Sequence, residues 1–170
     1  FMLATIAGLG EEAAFDWWGR MRANGMKVAK GWSEAYYTDF TRNGGSRPLV
    51  VSYASSPAAE VFYSKEKISE PPTASLFLKG GVFRQVEGVA LVKGGQQREA
   101  AGRFIEFMRS PAVQEALQTT MWMYAAEPRT PRPEVLRHAP EPTGFDNPPQ
   151  DVIAQKGADW VSRWTRVVLK

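Results

Sequence analysis

The stretch "RPLVVSYASSP", Arg47 to Pro57, sets how the rest of the chain is read. Leu49, Val50, Val51 and Tyr53 make a short apolar run bounded by Pro48 and by small polar residues. A continuous apolar run of this length predicts a strand buried on both faces. In open α/β sheets ligands sit beyond the carboxyl ends of the strands, and here that end is Tyr53-Ala54-Ser55-Ser56-Pro57. Small residues at such a place leave N–H and O–H groups able to hold a phosphate or an amine. The same residues also suit a tight strand-to-helix turn, and the two readings are compatible.

Downstream, "AAEVFYSKEK" predicts a short helix and Glu70-Pro71-Pro72 a break. "VFRQVEGVALVKGG" predicts a second strand pair or a bent strand, with Gly88 in mid-run marking a bend or a close backbone approach. "QQREAAGRFIEFMRSPAVQEALQTT" gives the clearest helical pattern in the chain. Ala101, Phe104, Ile105 and Met108 recur at helical spacing, and a Ser-Pro restart opens a second helix. The loop "MWMYAAEP" follows, then a proline-rich irregular stretch. A final helix runs from Asp151 to Leu169, with Ile153, Trp160, Trp164, Val167 and Val168 on its apolar side.

Upstream, Phe1 to Arg22 reads as two helices separated at Gly10, the second carrying Phe15, Trp18 and Met21 on one face and stopping at Asn24-Gly25. "MKVAKG" predicts a short strand or extended connection. "KGWSEAYYTDF" then opens a helix with Ser33 as N-cap, leaving Trp32 just before it and Tyr36, Tyr37 and Phe40 on it. Nothing caps the start at Phe1, which suggests a chain that begins inside a larger protein.

With 170 residues, 44% hydrophobic and 23% charged, the chain is long enough for a full globular core. The net charge of +3 is spread without a basic run, which weighs against nucleic acid. The absence of cysteine excludes disulfides and thiolate chemistry and is compatible with export. One histidine, His138, makes a histidine-based triad or multi-histidine metal site hard to build, and its proline-rich setting suggests a solvated loop. The apolar stretch Phe1 to Leu9 is too short to span a bilayer and does not have the form of a signal peptide.

No G-x-S-x-G, P-loop, H-E-x-x-H or G-x-G-x-x-G occurs, which shifts weight from turnover toward binding. The aromatic residues at element ends are the candidates for it: Trp32 before a helix, Tyr53 at a strand end, and Trp122 with Tyr124 in a loop. Converging, they would wall a flat pocket for an aromatic or cationic ligand; taken singly, each is better explained by packing under its own loop. Tyr36 and Tyr37 are adjacent on a helix and point apart, so they do not suit a shared metal ion; one is expected inside and one at the surface.

Taken together, "KGWSEAY", "PLVVSYASSPA", "FRQVEGVALVKGG", "AAGRFIEFMRSPAVQEAL" and "MWMYA" closely resemble the thiamine-binding periplasmic proteins of bacterial ABC importers, and the likeness covers nearly the whole chain. The resemblance implies a Type II periplasmic binding protein-like α/β fold, two lobes closing over a ligand, of which this sequence would be the C-terminal half. Residues 1–85 would belong to the second lobe, 86–125 would return to the first, and 126–170 would cross back as a tail with its helix. By motif, Trp32, Tyr53, Ala54, Ser55, Ser56 and Trp122 would contact thiamine, thiamine monophosphate or thiamine diphosphate. Where some members carry a further Tyr after the Ser-Pro, this sequence has Ala59, so one stacking wall is absent or supplied from elsewhere.

The implied role is non-enzymatic, with no cofactor and no metal: an exported, periplasmic protein that delivers its vitamin to a permease and its ATPase subunit. A fragment of this kind is expected to bind weakly or not at all alone and to be prone to self-association. The alternatives are a ferric-ion or other small-ligand binding protein of the same superfamily, against which the single Tyr of "YASS" argues, and a structural or interaction domain whose aromatics only pack.

Overall fold

The computed structural model describes residues 1–170, which divide into two compact units. The first comprises Phe1–Ser52, Leu76–Arg84 and Pro142–Lys170; the second comprises Tyr53–Ser75 and Gln85–Glu141.

In the first unit, α1 (Met2–Leu9) and α2 (Glu11–Ala23) are separated by Gly10 alone. Gly10 has φ 87°, the region glycine enters without steric cost, and it ends one helix and starts the next: its N–H donates to Ile6 O and its carbonyl accepts from Ala14 N–H. Glu11 and Glu12 lie in the first turn of α2 and Arg20 and Arg22 in its last, each matching the helix dipole. Helix α7 (Gln150–Leu169) packs on α2. Ile6, Ala14, Phe15 and Trp160 are buried between them, with Met2, Leu3, Val152, Ile153, Trp164 and Val167 packed around the cluster. The apolar side expected for the final helix is therefore the side that packs.

Polar contacts close the edges of this core. The Trp18 indole N–H donates to Thr5 Oγ1 at 2.9 Å, and Arg22 donates to Val167 O at 3.0 Å. Arg163 lies over the Phe15 ring at 4.2 Å and grips Glu12 through both guanidinium nitrogens at 2.7 and 2.6 Å, while Lys156 pairs with Glu11 at 3.0 Å. The bond from Lys156 holds the Glu11 carboxyl below the ordinary value of 4.5, and the bond from Arg163 does the same for Glu12. A carboxylate with a depressed pKa in the folded state contributes stability above its unfolded pKa and loses it as pH falls through the folded one. The melting temperature is therefore expected to be level from neutral pH down to about 5 and to drop below about 4.5, with the drop reduced in Glu12→Gln; thermal melts across that range check this.

Gly8 sits against the turn at Gly80. A Cβ on Gly8 would lie 2.4 Å from Gly80 N and 2.9 Å from Asp146 Oδ1. Asp146 fastens that turn: its Oδ2 accepts from Gly80 N–H at 2.8 Å and from Val82 N–H at 3.3 Å, and its own N–H donates to Val82 O at 2.6 Å.

The second unit holds α4 (Ser56–Tyr63), α5 (Arg98–Met108), α6 (Pro111–Thr120) and a 3-10 turn, Glu134–His138. Ser110 caps α6 with extended backbone and Pro111 occupies its first turn, as the Ser-Pro restart predicts. Ala58, Leu136 and Ala139 form a small buried cluster with Trp122 and Val135 packed on it. Gln118, 1% exposed, donates from its amide to Pro131 O at 2.8 Å. Helix α5 forms where its periodicity placed it but buries no residue fully: Ala101, Ile105 and Met108 are half-buried and Phe104 is 53% exposed.

The predicted strands differ most from the expectation. Leu49 to Tyr53 and Val82 to Val92 are irregular, and the single β-bridge in the chain joins Phe40 to Arg47. Leu49 is 72% exposed and Val51 56%, where burial on both faces was expected. The local pattern disposes these segments to be extended, but a strand exists only when a second backbone pairs along it, and here no ladder forms: the bond from Asp146 N–H to Val82 O stands alone. "MKVAKG", expected as a short strand or extended connection, holds no strand, and the three-residue helix α3, Trp32–Glu34, begins one residue before the N-cap expected at Ser33.

Candidate functional site

In the second unit the tight turn expected at "YASSP" is present. The Tyr53 carbonyl accepts from Ser56 N–H at 3.0 Å, and α4 starts at Ser56 with Pro57 in its first turn. Ser55 is buried at 3% exposure, and its hydroxyl donates to the Trp122 carbonyl at 2.7 Å. That bond joins two of the sequence candidates and fixes an unusual backbone, since Trp122 has φ 56°, a region L side chains rarely occupy. Ala54 is half-buried and its carbonyl accepts from Ser75 Oγ at 3.2 Å. Tyr53 is 66% exposed.

Two residues not singled out in the sequence complete this group. Phe62 and Tyr63, at the end of α4, meet the Trp122 ring at centroid distances of 5.4 and 5.7 Å, both edge to face. The Trp122 indole N–H points to the Tyr63 hydroxyl at 3.4 Å. Both are more than half exposed, which sets them apart from core aromatics. The sequence signal was slight: the Phe-Tyr pair at a helix end has no apolar stripe partner at i±3 or i±4 other than Ala58 and Ala59. Ring faces carry negative potential, so this half-exposed trio suits a flat or cationic group.

Tyr124, by contrast, is a structural post. Its hydroxyl donates to Ala139 O at 3.2 Å, Arg132 lies over its ring at 5.2 Å, and burial pushes its pKa up. His138 is not the solvated loop residue expected: its side chain is 8% exposed, in the 3-10 turn beside Arg137, and it lines a shallow cleft with Val61, Glu134 and Val135.

In the first unit Trp32 stacks on Tyr36 with centroids 4.8 Å apart and planes at 22°, and its indole N–H donates to Ser52 Oγ at 2.9 Å. Tyr36 is 5% exposed and Tyr37 59%, the inside and outside pair expected, carried on a π turn, Ala35–Asp39. Lys27 braces that turn between Glu34 at 2.8 Å and Asp39 at 2.7 Å. The hydrogen bonds that Lys27 donates to Asp39 and then to Glu34 raise its pKa. Trp32 is 37% exposed: half of it packs and half remains available.

Residues 1–156 match the family described as bacterial extracellular solute-binding protein. The chain belongs to that family. Membership in the solute-binding proteins implies a Type II periplasmic binding fold. Among curated proteins the chain is 36% identical over 151 residues to a thiamine-binding periplasmic protein of Salmonella typhimurium and 35% identical to that of Escherichia coli, covering 89% of this chain and 44% of each relative. A thiamine-binding periplasmic protein of Brucella melitensis is 30% identical over 156 residues, covering 91% of this chain. The chain thus spans less than half the length of the curated relatives it matches. No solved structure matches it. No helix in it is long and apolar enough to cross a membrane.

Proposed function

We propose that this chain carries ligand-contacting residues of a non-enzymatic solute-binding protein for thiamine or its phosphates, the C-terminal portion of a two-lobed fold that closes on its ligand. The observation that carries the reading is the 30–36% identity, over about nine-tenths of the chain, to proteins named for thiamine binding. The half-exposed aromatic group at Trp122 supports it, because thiamine is a cation with two flat rings. Trp122 and Tyr53 would supply aromatic contacts, Ala54, Ser55 and Ser56 room and polar groups for the hydroxyl or phosphate end, and Trp32 a further indole. Delivery to a membrane permease, with transport energy from its ATPase subunit, would take place outside the cytoplasm. The divisions 1–85, 86–125 and 126–170 would be the successive lobe segments.

Saturation-transfer NMR with thiamine, its monophosphate and its diphosphate tests this at the millimolar concentrations where weak binding is visible. Transfer to at least one of them is expected, with the affinity reduced about tenfold in Trp122→Ala, the effect of losing one cation-stacking ring. No transfer to any of the three, either from this chain or from this chain joined to the unmatched portion of the Salmonella typhimurium relative, would overturn the proposal.

A further inference from the structure

The rings of Phe62, Tyr63 and Trp122 meet pairwise with centroids 5.1 to 5.7 Å apart and planes at 67 to 89°. Planes so steep to one another form a corner; a stack would spend the ring faces on each other. Phe62 is 51% exposed and Tyr63 65%, so the chain leaves much of this corner in water. Its place follows from the two ends of α4. Ser55, at the N-cap, holds the Trp122 carbonyl, while the Trp122 ring reaches the last turn, about 12 Å along the helix. Helical side chains lean toward the N-terminus, so Phe62 and Tyr63 come back to meet an indole laid along α4. The Trp122 N–H donates to the Tyr63 hydroxyl at 3.4 Å and ties those two rings together.

The potential in the corner is negative on two counts. Ring faces carry the negative part of the aromatic quadrupole. Ser64 N–H turns to Val61 O, so the Phe62 and Tyr63 carbonyls end α4 without a backbone donor, and the C-terminal end of a helix favours a cation. Lys65 and Lys67 follow in sequence, but both are exposed with Glu66 between them, so water and salt screen their charge. We infer that Tyr63 is a ligand contact: with Trp122 it seats the positively charged thiazolium ring of thiamine and selects against an uncharged ring of the same outline. The inference rests on the thiamine reading above and adds to it a residue outside the set Trp32, Tyr53, Ala54, Ser55, Ser56 and Trp122.

Saturation-transfer titrations test this with thiamine and with thiamine thiazolone, whose ring keeps the outline but carries no charge. The proteins are the parent, Tyr63→Leu and Tyr63→Phe, as this chain or, where binding requires it, joined to the unmatched portion of the Salmonella typhimurium relative. Tyr63→Leu is expected to weaken thiamine about fivefold and the thiazolone by less than about twofold. Tyr63→Phe, which keeps the ring and drops the hydroxyl, is expected to hold thiamine to within about twofold of the parent. Thermal melts of both variants should match the parent's, because Tyr63 is 65% exposed. Equal weakening of the two ligands, no weakening in Tyr63→Leu, or a loss in Tyr63→Phe as large as in Tyr63→Leu would each overturn the inference and leave the thiamine reading standing, since the parent still binds. A parent that binds neither thiamine nor its phosphates would overturn both.

Discussion

Replacing Trp18 by alanine is expected to destabilise the first unit by about 3–5 kcal/mol, the range for deleting a large buried aromatic side chain. Trp18 is 5% exposed and its ring meets those of Phe1, Trp17 and Trp164 edge to face at 5.8, 5.0 and 5.5 Å. Its loss removes the transfer free energy of the ring and leaves a void that α1, α2 and α7 cannot all close upon at once. It also strips the hydrogen bond from Thr5 Oγ1, a group 98% buried whose own proton is already given to Met2 O at 2.7 Å. The two costs can be separated. Trp18→Phe keeps most of the apolar volume but leaves the Thr5 oxygen without its donor, so the pair Trp18→Phe with Thr5→Val should lose less than the sum of the single changes. Urea unfolding of the four proteins checks this. Additive losses would mean that the Trp18–Thr5 bond contributes nothing beyond packing.

Replacing Gly8 by alanine is expected to cost about 1–3 kcal/mol, although alanine is the better helix former by about 1 kcal/mol. The sign follows from what the new methyl group would meet. Gly80 N and Cα lie 2.4 and 2.5 Å from it, both backbone, so no side chain can swing aside. Making room separates α1 from the turn that Asp146 holds, and the bonds to Gly80 and Val82 loosen together. Gly102, in the middle of α5, is the contrast: nothing lies within 4 Å of a Cβ there, and alanine is expected to stabilise by about 0.5–1 kcal/mol. Thermal melts of the two variants should therefore move in opposite directions. A Gly8→Ala protein as stable as the parent would contradict the close approach.

How much of this was legible in the sequence depended on how local its cause is. The helices around Phe15, Trp18, Trp160 and Val168 could be read because their stripes and terminal glycines are written within a few residues. Leu49 to Tyr53 has the local pattern of a strand, but neither its pairing nor its burial could be read, because both are properties of the backbone beside it. Among the site residues, Trp122 and Ser55 stood out as polar or aromatic groups at element ends, while their mutual bond, 67 positions apart in sequence, had no signature. Phe62 and Tyr63 were passed over because a helix end in a hydrophobic run reads as packing until the exposure of each ring is known. His138 misled in the opposite direction: surrounding prolines suggested solvent, and the 3-10 turn folded its ring inward.

The left-handed backbone at Trp122 has one more consequence. At φ 56° a glycine would sit without penalty, and any side chain, however small, costs about 1–2 kcal/mol. The residue found there is the bulkiest of the twenty, clamped through its carbonyl by the hydroxyl of Ser55. Local comfort alone would place glycine at this corner. The indole is held against the grain of its own main chain, and what it gains must come from whatever its ring meets.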